Sequence, residues 1–163
     1  AASQASATPV TRIGTIEAGG QVTINPGFTW TMANGAGTDL FVYGTLRFGS
    51  HHPMARLLRR HARELGQGTV TGRLYRLGHY PGAIPVTDPR HRVKGNLYRL
   101  KTGARWLVAR LDAYEGREYT RTRICVVGER QRVMAWIYVL RRQPDPRNVI
   151  MGGDWLVSQS PAA

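Results

Sequence analysis

The chain has 163 residues, 42% hydrophobic and 20% charged, a balance that fits one globular domain with an appendage and excludes wholesale disorder. Basic residues outnumber acidic ones 23 to 10, a formal charge of +13; such a field attracts nucleic acid, anionic surfaces or acidic small molecules but fixes neither fold nor chemistry. No apolar run approaches the roughly 20 residues of a membrane helix, and a single cysteine, Cys125, excludes an intrachain disulfide and argues against a cysteine-based zinc site.

Residues 1–38 hold one arginine, Arg12, and one glutamate, Glu17, so the excess charge lies in 39–163. Alternating residues around Ala18-Gly19-Gly20 predict a hairpin over 13–24. This segment is expected to be an accessory arm or an appended leader. Docked on a sheet edge of a neighbouring chain, it would join two copies as a homodimer. No charged-then-apolar leader opens the sequence, so a cytoplasmic protein is expected.

From Asp39 a short apolar strand runs to Gly44. Ser50 to Pro53 opens a helix with Met54, Leu57, Leu58, His61 and Leu65 on one face and Gly66 at its end. Gly72-Arg-Leu-Tyr-Arg-Leu77 is echoed by Gly95-Asn-Leu-Tyr-Arg-Leu100, which reads as a pair of related strands, with His79 to Gly82 and Asp88-Pro89 as loop between them. Ala104 to Tyr114 reads as a second helix, closed by Gly116. Tyr119 to Val127 and Gln131 to Leu140 read as strands about Gly128, the second apolar on both faces and therefore central. Pro144 to Pro146 break the chain before its closing segment. Strands outnumber helices without alternating regularly with them, which predicts an α+β domain over 39–157, a tail at 158–163, and strands able to curl into a small barrel.

Two segments invite chemistry. In Tyr43-Gly44-Thr45-Leu46-Arg47, successive N–H groups after a strand can cradle an anion or an oxyanion, or simply turn the chain. In Leu111-Asp-Ala-Tyr-Glu-Gly116, Glu115 stands at the negative end of a helix dipole, where a carboxylate is disfavoured. It is there either as a solvated side chain among arginines or for chemistry. His51, His52 and His61 have no carboxylate at ligand spacing, so no metal is expected. Cys125 reads as a small buried hydrophobe. Arg56, Arg59, Arg60 and Arg63 read as a solvated helix face or an anion patch.

Taken together, Phe41-Val-Tyr-Gly-Thr-Leu-Arg47, Val93-Lys-Gly-Asn-Leu-Tyr98, Leu111-Asp-Ala-Tyr-Glu-Gly116, Tyr119-Thr-Arg121 and Ile150-Met-Gly-Gly-Asp-Trp155 occur in order. Over about residues 39–157 the chain resembles the γ-glutamylcyclotransferase-like superfamily, in the branch of γ-glutamylamine cyclotransferase and the plant avirulence-induced-gene-like proteins. The resemblance implies a small mixed β-barrel flanked by two main helices, with a pocket at its mouth. It implies a small-molecule γ-glutamyl substrate bound by Tyr43, Gly44, Thr45 and Leu46, and a catalytic carboxylate at Glu115. The implied reaction is attack of the substrate's own α-amine on its γ-carbonyl, releasing 5-oxoproline and an amine. That chemistry asks for no cofactor and no metal. Tyr119 is a candidate pocket hydroxyl; Arg47 either assists or lies on the surface. Two other readings stay open: a catalytically silent binding module on the same scaffold, and a basic nucleic-acid-associated protein, although a nucleic-acid partner is not expected.

Overall fold

The computed structural model describes residues 21–23, 29–31, 38–47, 49–129 and 132–160. The chain divides into two units, Ala1–Asn34 and Gly35–Ala163. In the first, strands β1 (Gln21–Thr23) and β2 (Thr29–Thr31) pair antiparallel with Val22 opposite Trp30. The hairpin expected over 13–24 lies outside the described residues except for this β1 segment, and so does any role of the arm in joining chains.

The second unit is built on β3 (Asp39–Val42), whose four residues are all buried. It runs antiparallel to β6 (Arg92–Leu100), with Leu40 opposite Tyr98, and parallel to β8 (Arg132–Leu140), with Leu40 opposite Trp136. β8 forms a hairpin with β7 (Tyr119–Gly128), and the long β4 (Ala62–Leu77) pairs with β6. β4 also meets β7 at Gly68–Gly128 and Thr69–Val127, closing a five-stranded mixed barrel. Closure needs a small residue: a Cβ on Gly68 would sit 2.8 Å from Val126 Cγ1. Beyond the closure, β4 continues into an edge hairpin with β5 (Tyr80–Pro85). The α+β fold, with its small mixed barrel and flanking helices, is as the sequence led one to expect.

Alternation along β3 separates two cores. Phe41 joins Val70, Leu74, Val93, Leu97, Val126, Ala135 and Ile137 in one cluster. Leu40 and Val42 join the other, where helices α1 (Pro53–His61) and α2 (Trp106–Glu115) contribute Leu58, Leu107 and Leu111. The closing segment runs through a 3-10 turn at Pro146–Asn148 to the short α3 (Trp155–Gln159), which buries Trp155.

Three local expectations are corrected. α1 stops at His61, and Leu65 belongs to β4, because pairing with β6 begins at Ala62 opposite Leu100 and includes a bulge between Glu64 and Gly66. The segment read as loop from His79 contains β5; its prolines sit at either end of an edge strand, where a missing donor breaks no ladder. Cys125 is half-buried, and burial pushes its thiol pKa up.

Candidate active site

A cavity of about 340 Å³ opens where the β3–α1 loop, the end of α2 and the start of β5 converge. Its lining includes Tyr43, Gly44, Thr45, Leu46, Glu115 and Tyr119. The structure thus brings together all six site residues singled out in the sequence.

Gly44 begins a turn closed by the Arg47 N–H donating to the Gly44 carbonyl at 3.1 Å. A Cβ on Gly44 would come 2.7 Å from Pro81 Cγ and 3.2 Å from its Cδ, so only glycine lets the loop lie this close to β5. Among the described residues, the N–H groups of Gly44, Thr45 and Leu46 donate to no protein acceptor. Such successive free donors can take a carboxylate or an oxyanion.

The Tyr43 hydroxyl is committed to backbone on both sides. It donates to the Tyr138 carbonyl at 2.7 Å and accepts from the Ala83 N–H at 3.2 Å, tying the loop to β8 and β5. Tyr119 donates to the Pro81 carbonyl at 2.7 Å, which leaves its oxygen free only to accept. At the mouth, Thr45 Oγ1 lies 3.3 Å from the Tyr114 hydroxyl, itself 3.4 Å from His52 Nε2. His52 Nδ1 accepts from the Met54 N–H and caps α1.

Arg47 neither enters the cavity nor lies on the surface. It is 5% exposed, donating through Nε to Asn96 Oδ1 at 3.0 Å and through Nη1 to Asp154 Oδ1 at 2.7 Å. Asn96 in turn donates to Glu64 Oε1, and Asp154 accepts from the Leu156 N–H at the start of α3. The loop is therefore anchored to β6, the β4 bulge and the closing segment by one buried cation.

α2 ends in two carboxylates with opposite surroundings. Asp112 accepts from Arg121 Nε at 2.8 Å and from the Tyr138 hydroxyl at 2.7 Å, and stays below its usual range despite some burial. Glu115, half-buried and without an ion pair among the described residues, is pushed up to about 7 by burial. Gly116, in the left-handed region at φ 73°, turns the chain off the helix as its N–H donates to the Asp112 carbonyl. Neighbouring carboxyls held apart in this way are the pattern of one group that stays charged and one poised to exchange a proton near neutrality.

Sequence reasoning missed Tyr80, Glu118 and Tyr138, which also line the cavity, and the buried partners of Arg47. Glu118 offered one local signal, its place two residues beyond the helix-ending Gly116. Tyr138 lies on a strand apolar on both faces and offered none.

A small mixed barrel carrying a cavity lined by the Tyr43–Leu46 loop and by a carboxyl whose pKa burial raises to about 7 sets the frame for comparison. The model of the family "Gamma-glutamyl cyclotransferase, AIG2-like" matches residues 40–157, and the chain belongs to that family. It is 38% identical over 122 residues to the γ-glutamylcyclotransferase family protein YtfP of Escherichia coli, covering 72% of this chain and 95% of that one. An AIG2-like protein of Mus musculus superposes with a TM-score of 0.62 at 23% identity, over 77% of this chain and 91% of that one. YkqA of Bacillus subtilis gives 0.62 at 24% identity over 76% of this chain, which spans only 41% of YkqA. These two structures speak to fold alone. Among the described residues, no helix is long and apolar enough to cross a membrane.

Proposed function

We propose that this protein converts a γ-glutamyl amine or γ-glutamyl amino acid to 5-oxoproline and a free amine, with Glu115 as general acid and base. The observation that carries the reading is the shared cavity, which joins a half-buried carboxyl with a pKa of about 7 to a loop of free N–H donors.

The nucleophile is the substrate's own α-nitrogen, so the protein's task is to hold the bent conformer and move protons. The N–H groups of Gly44, Thr45 and Leu46 take the α-carboxylate or the oxygen that gains charge as the tetrahedral centre forms. Glu115, ionised, accepts a proton from the α-ammonium and frees the attacking lone pair. The new bond joins the α-nitrogen to the γ-carbonyl carbon; the bond from that carbon to the leaving nitrogen breaks. Glu115 returns protons to the leaving nitrogen, so the amine departs as an ammonium while the ring nitrogen keeps one hydrogen. Tyr119 and Tyr43 support the wall through their backbone hydrogen bonds, and Tyr119 retains an acceptor towards the cavity. An enzyme that works in the cytoplasm on a small molecule fits this chemistry.

The test is product chemistry. Purified protein incubated with a panel of γ-glutamyl amines and γ-glutamyl amino acids should yield 5-oxoproline and amine in equal amounts, without glutamate. Glutamate in place of 5-oxoproline would mean hydrolysis and overturn the intramolecular attack. No product from any member would leave binding as the function.

A further inference from the structure

We propose that the protein carries a second binding site, for a small phosphate monoester with an apolar body, in a cavity where the closing segment meets β4 and β6. The inference is independent of the cyclotransferase reading. The cavity measures about 260 Å³ and shares no lining residue with the one that holds Glu115. Its walls are fixed by backbone pairing. Beyond Thr71, where pairing of β4 with β6 ends, the closing segment takes up β4 backbone groups: the Ile150 N–H donates to the Leu74 carbonyl at 2.7 Å, and Val149 bridges to Tyr75. The Lys94 N–H donates to the Gly153 carbonyl at 2.8 Å, holding the same segment on β6. Gly153, at φ 62°, permits that approach, because a Cβ there would strike the Arg92 carbonyl.

Two guanidiniums line this cavity. Thr71 stands opposite Arg92, so Arg73, two residues on, is the diagonal neighbour of Arg92 on the same sheet face, about 7–8 Å away through the backbone. His91, also in the lining, orients Arg73: its Nε2 lies 3.0 Å from Arg73 Nη2 and must accept, since a guanidinium has only donors. Arg92 makes one long contact, Nη1 to Thr69 Oγ1 at 3.5 Å, and among the described residues neither arginine is paired with a carboxylate. The neighbouring acids are engaged elsewhere. Asp88, 3.7 Å from His91 Nε2, is held by Arg90, Asp145 by Arg147 and Asp154 by Arg47, and no acid lines the cavity. Tyr75 supplies an independent sign of a ligand: it is 5% exposed and lines the cavity, and its hydroxyl makes no hydrogen bond to any described residue. Two guanidiniums and a hydroxyl can serve three oxygens, which a phosphate monoester supplies and a carboxylate with two does not; its double charge also matches two cations. Leu74, Val149 and Ile150 give the lining an apolar part, suited to the organic group of the ester.

The discriminating experiment is calorimetric titration of the full chain with phenyl phosphate, inorganic phosphate and benzoate at low ionic strength. Phenyl phosphate should bind about threefold tighter than inorganic phosphate, through the apolar wall, and about tenfold tighter than benzoate. Arg73→Gln and Arg92→Gln should each weaken phenyl phosphate about five- to tenfold, and Tyr75→Phe, which removes only the hydroxyl, about three- to fivefold. Arg123→Gln, the same loss of charge on β7 outside the cavity, should change affinity less than twofold. Equal losses from Arg123→Gln and the two cavity arginines would reveal general attraction to a chain of +13 and overturn the site. Binding that survives the double Arg73→Gln, Arg92→Gln variant but fails in Gly44→Ala would put the anion on the Tyr43–Leu46 loop and overturn it too. Benzoate bound as tightly as phenyl phosphate overturns the phosphate assignment, and no saturable binding of phenyl phosphate by about 10 mM overturns the proposal entirely.

Discussion

Replacing Glu115 by glutamine removes an ionisation that the fold opposes. Burial raises the carboxyl from 4.5 to about 7, so between those values the folded protein holds a proton that the unfolded chain has released. The wild type is therefore most stable with respect to this group below about pH 4.5; that contribution is lost as pH rises through about 7 and stays lost above it. The whole interval corresponds to ~3 kcal/mol, and solvent reaching the half-buried carboxyl reduces the expected effect to ~1–2 kcal/mol. Glutamine keeps the shape and never ionises. Urea unfolding of both proteins at about pH 5 and about pH 8 isolates this group, because Asp112 and the other titrating side chains are common to both. The stability of Glu115→Gln relative to wild type should be greater at the higher pH by ~1–2 kcal/mol. The same relative stability at both values, or a variant that loses ground at high pH, would refute the claim that burial holds this carboxyl protonated.

Gly44→Ala should lift the loop from Pro81, since the new Cβ would lie 2.7 Å from the ring Cγ. The expected result is a loss of about tenfold or more in kcat/KM for any accepted γ-glutamyl amine, with the fold retained by circular dichroism. Arg47→Ala leaves the buried Asn96 and the partly buried Asp154 without their shared donor, and should cost ~2–4 kcal/mol in urea unfolding; a change under 1 kcal/mol would show that the loop is not anchored there.

Much of this architecture was legible in particular residues. The apolar run from Asp39 and the two-faced strand Arg132–Leu140 placed β3 and β8 in the sheet because burial on both faces leaves a continuous apolar signature. The end of α1 was misread because helical spacing carries on through Leu65, while the chain obeys β4–β6 pairing instead. β5 was hidden by its own prolines and Gly82. That glycine is required because a Cβ there would strike the Leu140 side chain, a reason that exists only in three dimensions. The six candidate residues came from motifs that the sequence carries locally. Arg47 could not be interpreted, since its partner Asp154 lies 107 residues away. Nor does sequence distance reveal that, among the described residues of a strongly basic chain, no arginine or lysine lines the cavity of Glu115.

The central claim is that a single carboxyl, Glu115, moves the protons of an intramolecular cyclisation. Its most direct test is the pH dependence of 5-oxoproline release by wild type and Glu115→Gln with the best γ-glutamyl amine found. The wild-type kcat/KM should climb with pH through about 7 as Glu115 ionises. The variant should be slower by roughly 10²-fold or more, and its residual rate should lack that ionisation. A variant that keeps the wild-type rate, or the same rise through neutral pH, would contradict the account.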